Sequence, residues 1–152
     1  MIDEHKISYR LMTESDIAPA AYVRKAALES IDRGPGAASK WVPTFPRTVQ
    51  HLLCTDPHGS VAAEIDGLIV GYAQAFVRGD NWVLSQLFVQ PEAHSLGVGA
   101  ALLGRAEDYG RANGARIFSV VSTAQPVSQA LYMRHGMFAL GIGYRMSGDL
   151  EP

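Results

Sequence analysis

Apolar residues recur at spacings of three and four between positions 16 and 31, where Ile17, Ala20, Val23, Ala27 and Leu28 trace one stripe. That spacing predicts an amphipathic helix. Just ahead of it, Thr13-Glu14-Ser15-Asp16 offers an N-cap hydroxyl with an acid three residues later, and Pro19 falls in the first turn, where a missing N–H is harmless. A short, modestly alternating strand over 6–11 precedes it. Across 32–45, Gly34-Pro35-Gly36 and Pro43 break regular structure, and the segment reads as a loop carrying the aromatics Trp41 and Phe45. A short helix is expected over 47–54.

The pattern then turns to strands. Runs at 61–65 and 68–77 flank Asp66-Gly67, a strong hairpin signal, and Arg78-Gly79-Asp80-Asn81 leads into a third run at 82–89. Connections this short predict three successive antiparallel strands. After Pro91 the period becomes helical again, with Leu96, Ala100, Leu103 and Ala106 or Glu107 on one face and Asn113-Gly114 as a stop. A buried strand at 117–121, a helix at 126–135 ended by Gly136, and a closing strand pair at 138–142 and 144–146 complete the chain. The order is β-α-α-β-β-β-α-β-α-β-β, with no internal repeat.

Composition refines this picture only slightly. Apolar residues make up 47% of the 152, enough for the core of one domain spanning 1–152. The net charge of -2 comes from interspersed signs, which argues against nucleic acid as a partner. No apolar stretch approaches the roughly 20 residues of a membrane-spanning helix, and the first residues lack a secretory core, so a soluble cytoplasmic protein is expected. Cys54 stands alone and reads as a small buried hydrophobe; no Cys/His spacing suggests a metal site.

The candidate chemistry lies in 87–103: a strand ending Leu87-Phe88-Val89, a turn with Gly97 and Gly99, and the start of a helix. Unpaired N–H groups and the helix dipole make such a junction a natural anion site, although two glycines also suit tight strand–helix packing. A dinucleotide fingerprint would need Gly or Ala at Leu102, and a phosphate loop would need Gly-Lys-Ser or Gly-Lys-Thr where Gly99-Ala100-Ala101 stands. Neither pattern fits.

The segment resembles the acetyl-CoA motif of the GCN5-related N-acetyltransferases: Arg or Gln, two residues, Gly, one residue, then Gly or Ala. His94-Ser95-Leu96-Gly97-Val98-Gly99 follows that pattern with His94 in first place, between Leu87-x-Val89-x-Pro91-Glu92 and Leu102-Leu103. Ala130-Leu131-Tyr132, three residues, Gly136-Met137 is similar to the family's second signature, with Met137 at the usual Phe position. Tyr9-Arg10-Leu11 ahead of Asp16 extends the resemblance over nearly the whole chain.

The resemblance implies an α/β (α+β) fold, a mixed and mostly antiparallel sheet of about seven strands with flanking helices. It also implies an N-acetyltransferase that moves an acetyl group from acetyl-CoA to a primary amine of a small molecule, amino acid or peptide by direct attack in a ternary complex. By it, the backbone N–H groups of Ser95, Leu96, Gly97, Val98, Gly99 and Ala100 would hold the pyrophosphate. The pantetheine arm would run along Leu87, Phe88 and Val89, with a backbone N–H near Phe88 polarising the thioester carbonyl. Gln125 stands where relatives often have an asparagine that contacts the pantetheine. Tyr132 aligns with a tyrosine that protonates the departing thiolate.

The same comparison places Gln86 where many relatives carry a glutamate base, and an amide cannot take up a proton at neutral pH. The alternatives are a water relayed from Gln86, a backbone carbonyl, Ser122, His94, or an amine that arrives partly deprotonated. The acceptor pocket is expected from the 32–45 loop with Trp41 and Phe45, from the strand bearing Tyr72 and Gln74, and from Trp82. His51, His58 and His135 belong to no recognisable constellation. Pairing of subunits through the final strands is common in the family. The competing expectation is a non-catalytic acyl-CoA sensor, for which Gln86 is the argument.

Overall fold

The computed structural model describes residues 7–31 and 45–143. The chain divides into two compact units, Met1–Val120 and Val121–Pro152.

In the first unit a five-stranded sheet runs in chain order: β1 (Ser8–Leu11), β2 (Ser60–Ile65), β3 (Leu68–Arg78), β4 (Asn81–Val89) and β5 (Ile117–Val120). The first three pairings are antiparallel and β4 with β5 is parallel. Asp66 (φ 52°) and Gly67 (φ 77°) close the β2–β3 hairpin, both left-handed, as a type I′ turn requires. Arg78 pairs with Asn81, leaving a two-residue turn headed by Gly79 at φ 63°. The expected meander is therefore present.

Adjacent strand residues point to opposite faces, and the helices sort accordingly. Helix α3 (Val98–Ala112) packs on the face of Gly71, where an added Cβ would lie 3.1 Å from both Val98 Cγ1 and Leu102 Cδ1. Near its far end, a Cβ on Gly110 would lie 2.5 Å from Trp82 Cδ1, and the Trp82 indole N–H donates to Ala106 O at 2.8 Å. The other face is covered by α1 (Ile17–Ile31) and α2 (Phe45–Thr55), whose Ala20, Val23 and Val49 form one core with Met12, Ala62 and Tyr72. Ahead of α1 the Asp16 carboxylate accepts the Thr13 backbone N–H at 2.7 Å, as the start signal predicts.

One irregularity in the sheet positions the site. Gln74 pairs with Gln86 and Ala75 with Leu84, so Ser85 is an extra residue on β4. This bulge inverts the alternation. Trp82 and Leu84 face α3, whereas Gln86 and Phe88 turn to the α1/α2 face.

Several sequence expectations need correction. Leu96 and Ala100 are exposed, because Gly97 at φ 74° breaks the predicted continuous helix. Leu96 ends a 3-10 helix, Pro91–Leu96, and the buried stripe of α3 starts at Val98 and includes Leu102. Cys54 is exposed, since α2 turns Val49 and Leu52 inward. On β5 Ile117 is 53% exposed, so the strand is not buried as the run of apolar residues suggests. The sheet has five strands among the described residues, not about seven. Residues 137–143 form no strand, and the expected partner at 144–146 lies outside the described residues.

The second unit contributes α4 (Pro126–Arg134), ended by Gly136 at φ 82°, as the sequence predicts.

Candidate active site

Pairing of β4 with β5 ends at Leu84 and Val120, whereas β4 continues for five residues to Val89. Within this unit, the β5-facing edge of β4 is thus free of sheet partners beyond Leu84. Which groups face that edge follows from the register. Gly71 pairs with Val89, and Gln90 N–H donates to Val70 O at 2.8 Å, so Gly71/Val89 is a non-hydrogen-bonded pair and Tyr72/Phe88 exchanges both bonds. The N–H and C=O of Leu87 and Val89 therefore point outward. Phe88's own N–H is turned into the sheet, and the outward backbone donors beside it are those of Leu87 and Val89.

At the end of β4 the chain reaches the α3 N-terminus. The first helical bond there joins Ala101 N–H to Gly97 O at 3.1 Å, so the N–H groups of Val98, Gly99 and Ala100 have no intrahelical acceptor. No side chain caps this helix start, and an added Cβ on Gly97 would meet nothing within 4 Å. The helix start is left open to an anion. Ser95 and Leu96 lie exposed in the turn before it. His94 bends back instead: its Nε2–H donates to the outward Val89 carbonyl at 2.9 Å.

On the α1/α2 face a chain of polar side chains runs across three strands and a helix. Tyr72 donates its hydroxyl to Gln86 Oε1 at 2.8 Å, Gln86 Nε2 donates to Gln74 Oε1 at 3.3 Å, and Gln74 Nε2 donates to Ser60 Oγ at 3.0 Å and Val49 O at 3.2 Å. The carbonyl of Val49 can only accept, which fixes the direction of every amide in the chain. Burial pushes the Tyr72 phenol far above its ordinary range, even against the lowering effect of Arg24. Tyr72 and Gln74 have no exposed surface, while Gln86 is half-buried. Trp82 is fully buried against α3 on the opposite face, so it does not line a pocket with Tyr72 and Gln74. Trp41 and the side chain of Phe45 lie outside the described residues.

Arg24 was missed by the sequence reading. It is buried on α1 with its guanidinium carbon 5.8 Å from the Phe88 ring centroid. Its signal was a cation within the apolar run Ala20, Val23 and Ala27.

In the second unit, Tyr132 on α4 is half-buried and burial pushes its phenol up, so it is protonated at neutral pH. Gln125 is the N-cap position of α4. Among the described residues no three His, Cys, Asp or Glu side chains form a metal-binding group, and no helix is long and apolar enough to cross a membrane.

These features can be set beside known proteins. No curated protein is a significant sequence match. The fold is shared with PaiA N-acetyltransferase from Thermoplasma acidophilum, solved with coenzyme A, at a TM-score of 0.76, 15% identity, and coverage of 86% of this chain and 88% of that one. A GNAT family acetyltransferase from Brucella melitensis, solved with acetyl-CoA, gives 0.67 at 22% identity over 96% and 95% of the two chains. The Escherichia coli ribosomal-protein-S18-alanine N-acetyltransferase gives 0.67 at 18% over 86% and 76%. Residues 26–137, which hold the open β4 edge, the glycine turn and Tyr132, match the model of the acetyltransferase (GNAT) family, and the chain belongs to that family of N-acetyltransferases.

Proposed function

We propose that this chain transfers an acetyl group from acetyl-CoA to a primary amine of a small molecule, amino acid or peptide, by direct attack in a ternary complex. The observation that carries the reading is the free edge of β4 leading into the uncapped start of α3. An extended arm with amide groups suits Leu87 and Val89 as an added strand, and a diphosphate suits the N–H groups of Val98 to Ala100. The thioester supplies the activated acyl group. The Leu87 N–H is the outward donor nearest the bulge and would polarise the acyl carbonyl; such donors are worth roughly 3 kcal/mol in a transition state. Tyr132, protonated at neutral pH, would donate its proton to the departing sulfur. Gln125 would contact the arm, and the two units would act as one domain.

A second reading has its own observation. Gln86 offers no proton acceptor and both halves of its amide are bonded within the protein, which suits a non-catalytic acyl-CoA sensor. Calorimetry with acetyl-CoA, followed by thiol release and mass spectrometry on a panel of amines, separates the two. Binding with acetylated product supports the transferase, binding without turnover supports the sensor, and no binding overturns both.

A further inference from the structure

Gln74 is a polar side chain with no exposed surface in the middle of β3, and its amide ties that strand to three other elements. Both of its hydrogens are spent: Nε2 donates to Ser60 Oγ on β2 at 3.0 Å and to the Val49 carbonyl of α2 at 3.2 Å. Its Oε1 is left for β4, where it accepts Gln86 Nε2 at 3.3 Å. Gln86 is the first residue of β4 past the extra Ser85, and its own Oε1 accepts the Tyr72 hydroxyl at 2.8 Å. Both halves of the Gln86 amide are therefore held by β3 on the α1/α2 face. Those bonds require the bulge. Slipping β4 back by one residue would set Ser85 opposite Gln74 and Leu87 opposite Tyr72, and would turn Gln86 and Phe88 to the α3 face. A short hydroxyl would then replace the amide opposite Gln74, and the amide would lie on the face packed by the apolar Val98, Leu102 and Ala106.

Resting on the transferase reading above, we infer that Gln74 is a positioning residue for acetyl transfer: by holding Gln86 it keeps the Ser85 bulge, and so keeps the N–H groups of Leu87 and Val89 on the open edge of β4. The register makes the consequence specific. Tyr72 exchanges both backbone bonds with the β4 residue opposite it, which is Phe88 here and would be Leu87 after the slip. The slip thus turns the Leu87 N–H into the sheet and presents those of Gln86 and Phe88 instead. The donor proposed to polarise the acyl carbonyl is withdrawn, although no side chain that would touch the cofactor has changed. The Phe88 ring, packed on Tyr72 with centroids 5.9 Å apart, does not fix this choice by itself, because an apolar ring can be buried on either face. The Gln86 amide can be buried without loss where Tyr72 and Gln74 meet it.

Amide hydrogen exchange and calorimetry with coenzyme A, both on the full chain, test this. Gln74→Leu and Gln86→Met break the bond between the two amides from either side, and Ser60→Ala is the control. Ser60→Ala removes one acceptor of Gln74 from the same buried cluster but leaves the bond to Gln86, so it should lower the urea midpoint and alter nothing at β4. In the wild type and in Ser60→Ala the Phe88 amide should exchange slowly. In either glutamine variant Phe88 is expected to lose protection by about tenfold or more while Leu87 gains it, and coenzyme A affinity and kcat should each fall about tenfold or more. Gln74→Glu supplies the conservative rescue. A protonated carboxyl accepts from Gln86 and donates as the amide does, so the wild-type exchange order should be kept at about pH 5 and lost at about pH 8. An unchanged order of Leu87 and Phe88 in folded Gln74→Leu or Gln86→Met overturns the inference. So does a folded Gln74→Glu protein that behaves as Gln74→Leu at both pH values, or a loss of affinity in Ser60→Ala as large as in the glutamine variants, which would mark a general loosening of the core. Should Gln74→Leu not fold, Gln86→Met, at a half-buried position, decides. Failure of the wild type to bind coenzyme A is a different result: it removes the transferase reading, while the exchange order still decides what holds the register.

Discussion

Tyr109 donates its hydroxyl to Asp56 Oδ1 at 2.9 Å, tying the far half of α3 to the residue that follows α2. Asp56 is buried, which opposes its ionisation, but it also accepts both outer nitrogens of Arg78, the Thr55 hydroxyl and the Val77 N–H. Those donors win and hold the carboxyl well below the usual carboxylate range. Burial and the adjacent carboxylate push the Tyr109 phenol up to about 12. The helix whose uncapped first turn is proposed to hold a diphosphate is therefore anchored at its other end by a charged knot.

Removing the acceptor should loosen that anchor. Asp56→Ala leaves the Tyr109 hydroxyl and the Val77 N–H without their partner, and a loss of about 3 kcal/mol in urea unfolding is expected. Tyr109→Phe, which deletes one hydroxyl, should cost about 1 kcal/mol. Equal effects of the two variants would contradict Asp56 as the hub.

The pH dependence follows from the same shifts. A carboxyl lowered by folding contributes fully above its unfolded pKa, near 3.9, and that contribution is lost as pH falls toward the native value. Tyr109 has the opposite sign: its contribution is complete below about pH 10 and fades as pH rises toward about 12. The stability gap between the wild type and Asp56→Asn should accordingly be constant from pH 6 to 8 and shrink below pH 4. A gap that stayed constant to pH 3 would show that the charge on Asp56 is not what stabilises.

Much of this was legible in the sequence, and the misses share one origin. Asp66-Gly67 and the Gly79 turn announced the meander because their backbone needs are local. The break at Gly97 ahead of α3 was marked by a glycine for the same reason. The bulge at Ser85 was not, because it is defined by the partner strand, and with it went the separation of Trp82 from Gln86 onto opposite faces. The outward direction of Leu87 and Val89 likewise depends on register, which no single strand encodes. Leu96 was assigned to a buried stripe since its spacing suited one, but periodicity cannot sense that Gly97 adopts φ 74°. The Asp56 knot joins residues up to 53 positions apart and left no local trace.

The acid role proposed for Tyr132 has a direct check. Its phenol is held protonated by burial, so a donor is present at neutral pH. Tyr132→Phe keeps the ring and removes the proton. The expected result is a fall in kcat of roughly 100-fold at saturating acetyl-CoA, with binding of the donor changed only slightly. Unchanged kcat would remove Tyr132 from the chemistry and leave it a packing residue.

Two glycines seven residues apart, Gly97 at the N-cap of α3 and Gly104 within it, give opposite expectations from one physical rule. Gly104 lies inside the helix with nothing within 4 Å of an added Cβ, so Gly104→Ala should only restrict the unfolded chain and stabilise the protein by roughly 0.5–1 kcal/mol. Gly97 is equally open to a methyl group, but its φ of 74° is left-handed, and Gly97→Ala should cost roughly 1–2 kcal/mol through the backbone. Relaxing that φ also swings the Val98, Gly99 and Ala100 N–H groups, so coenzyme A binding by calorimetry should weaken at least tenfold in Gly97→Ala and stay unchanged in Gly104→Ala. Normal affinity in a folded Gly97→Ala protein would mean that the start of α3 does not hold the diphosphate.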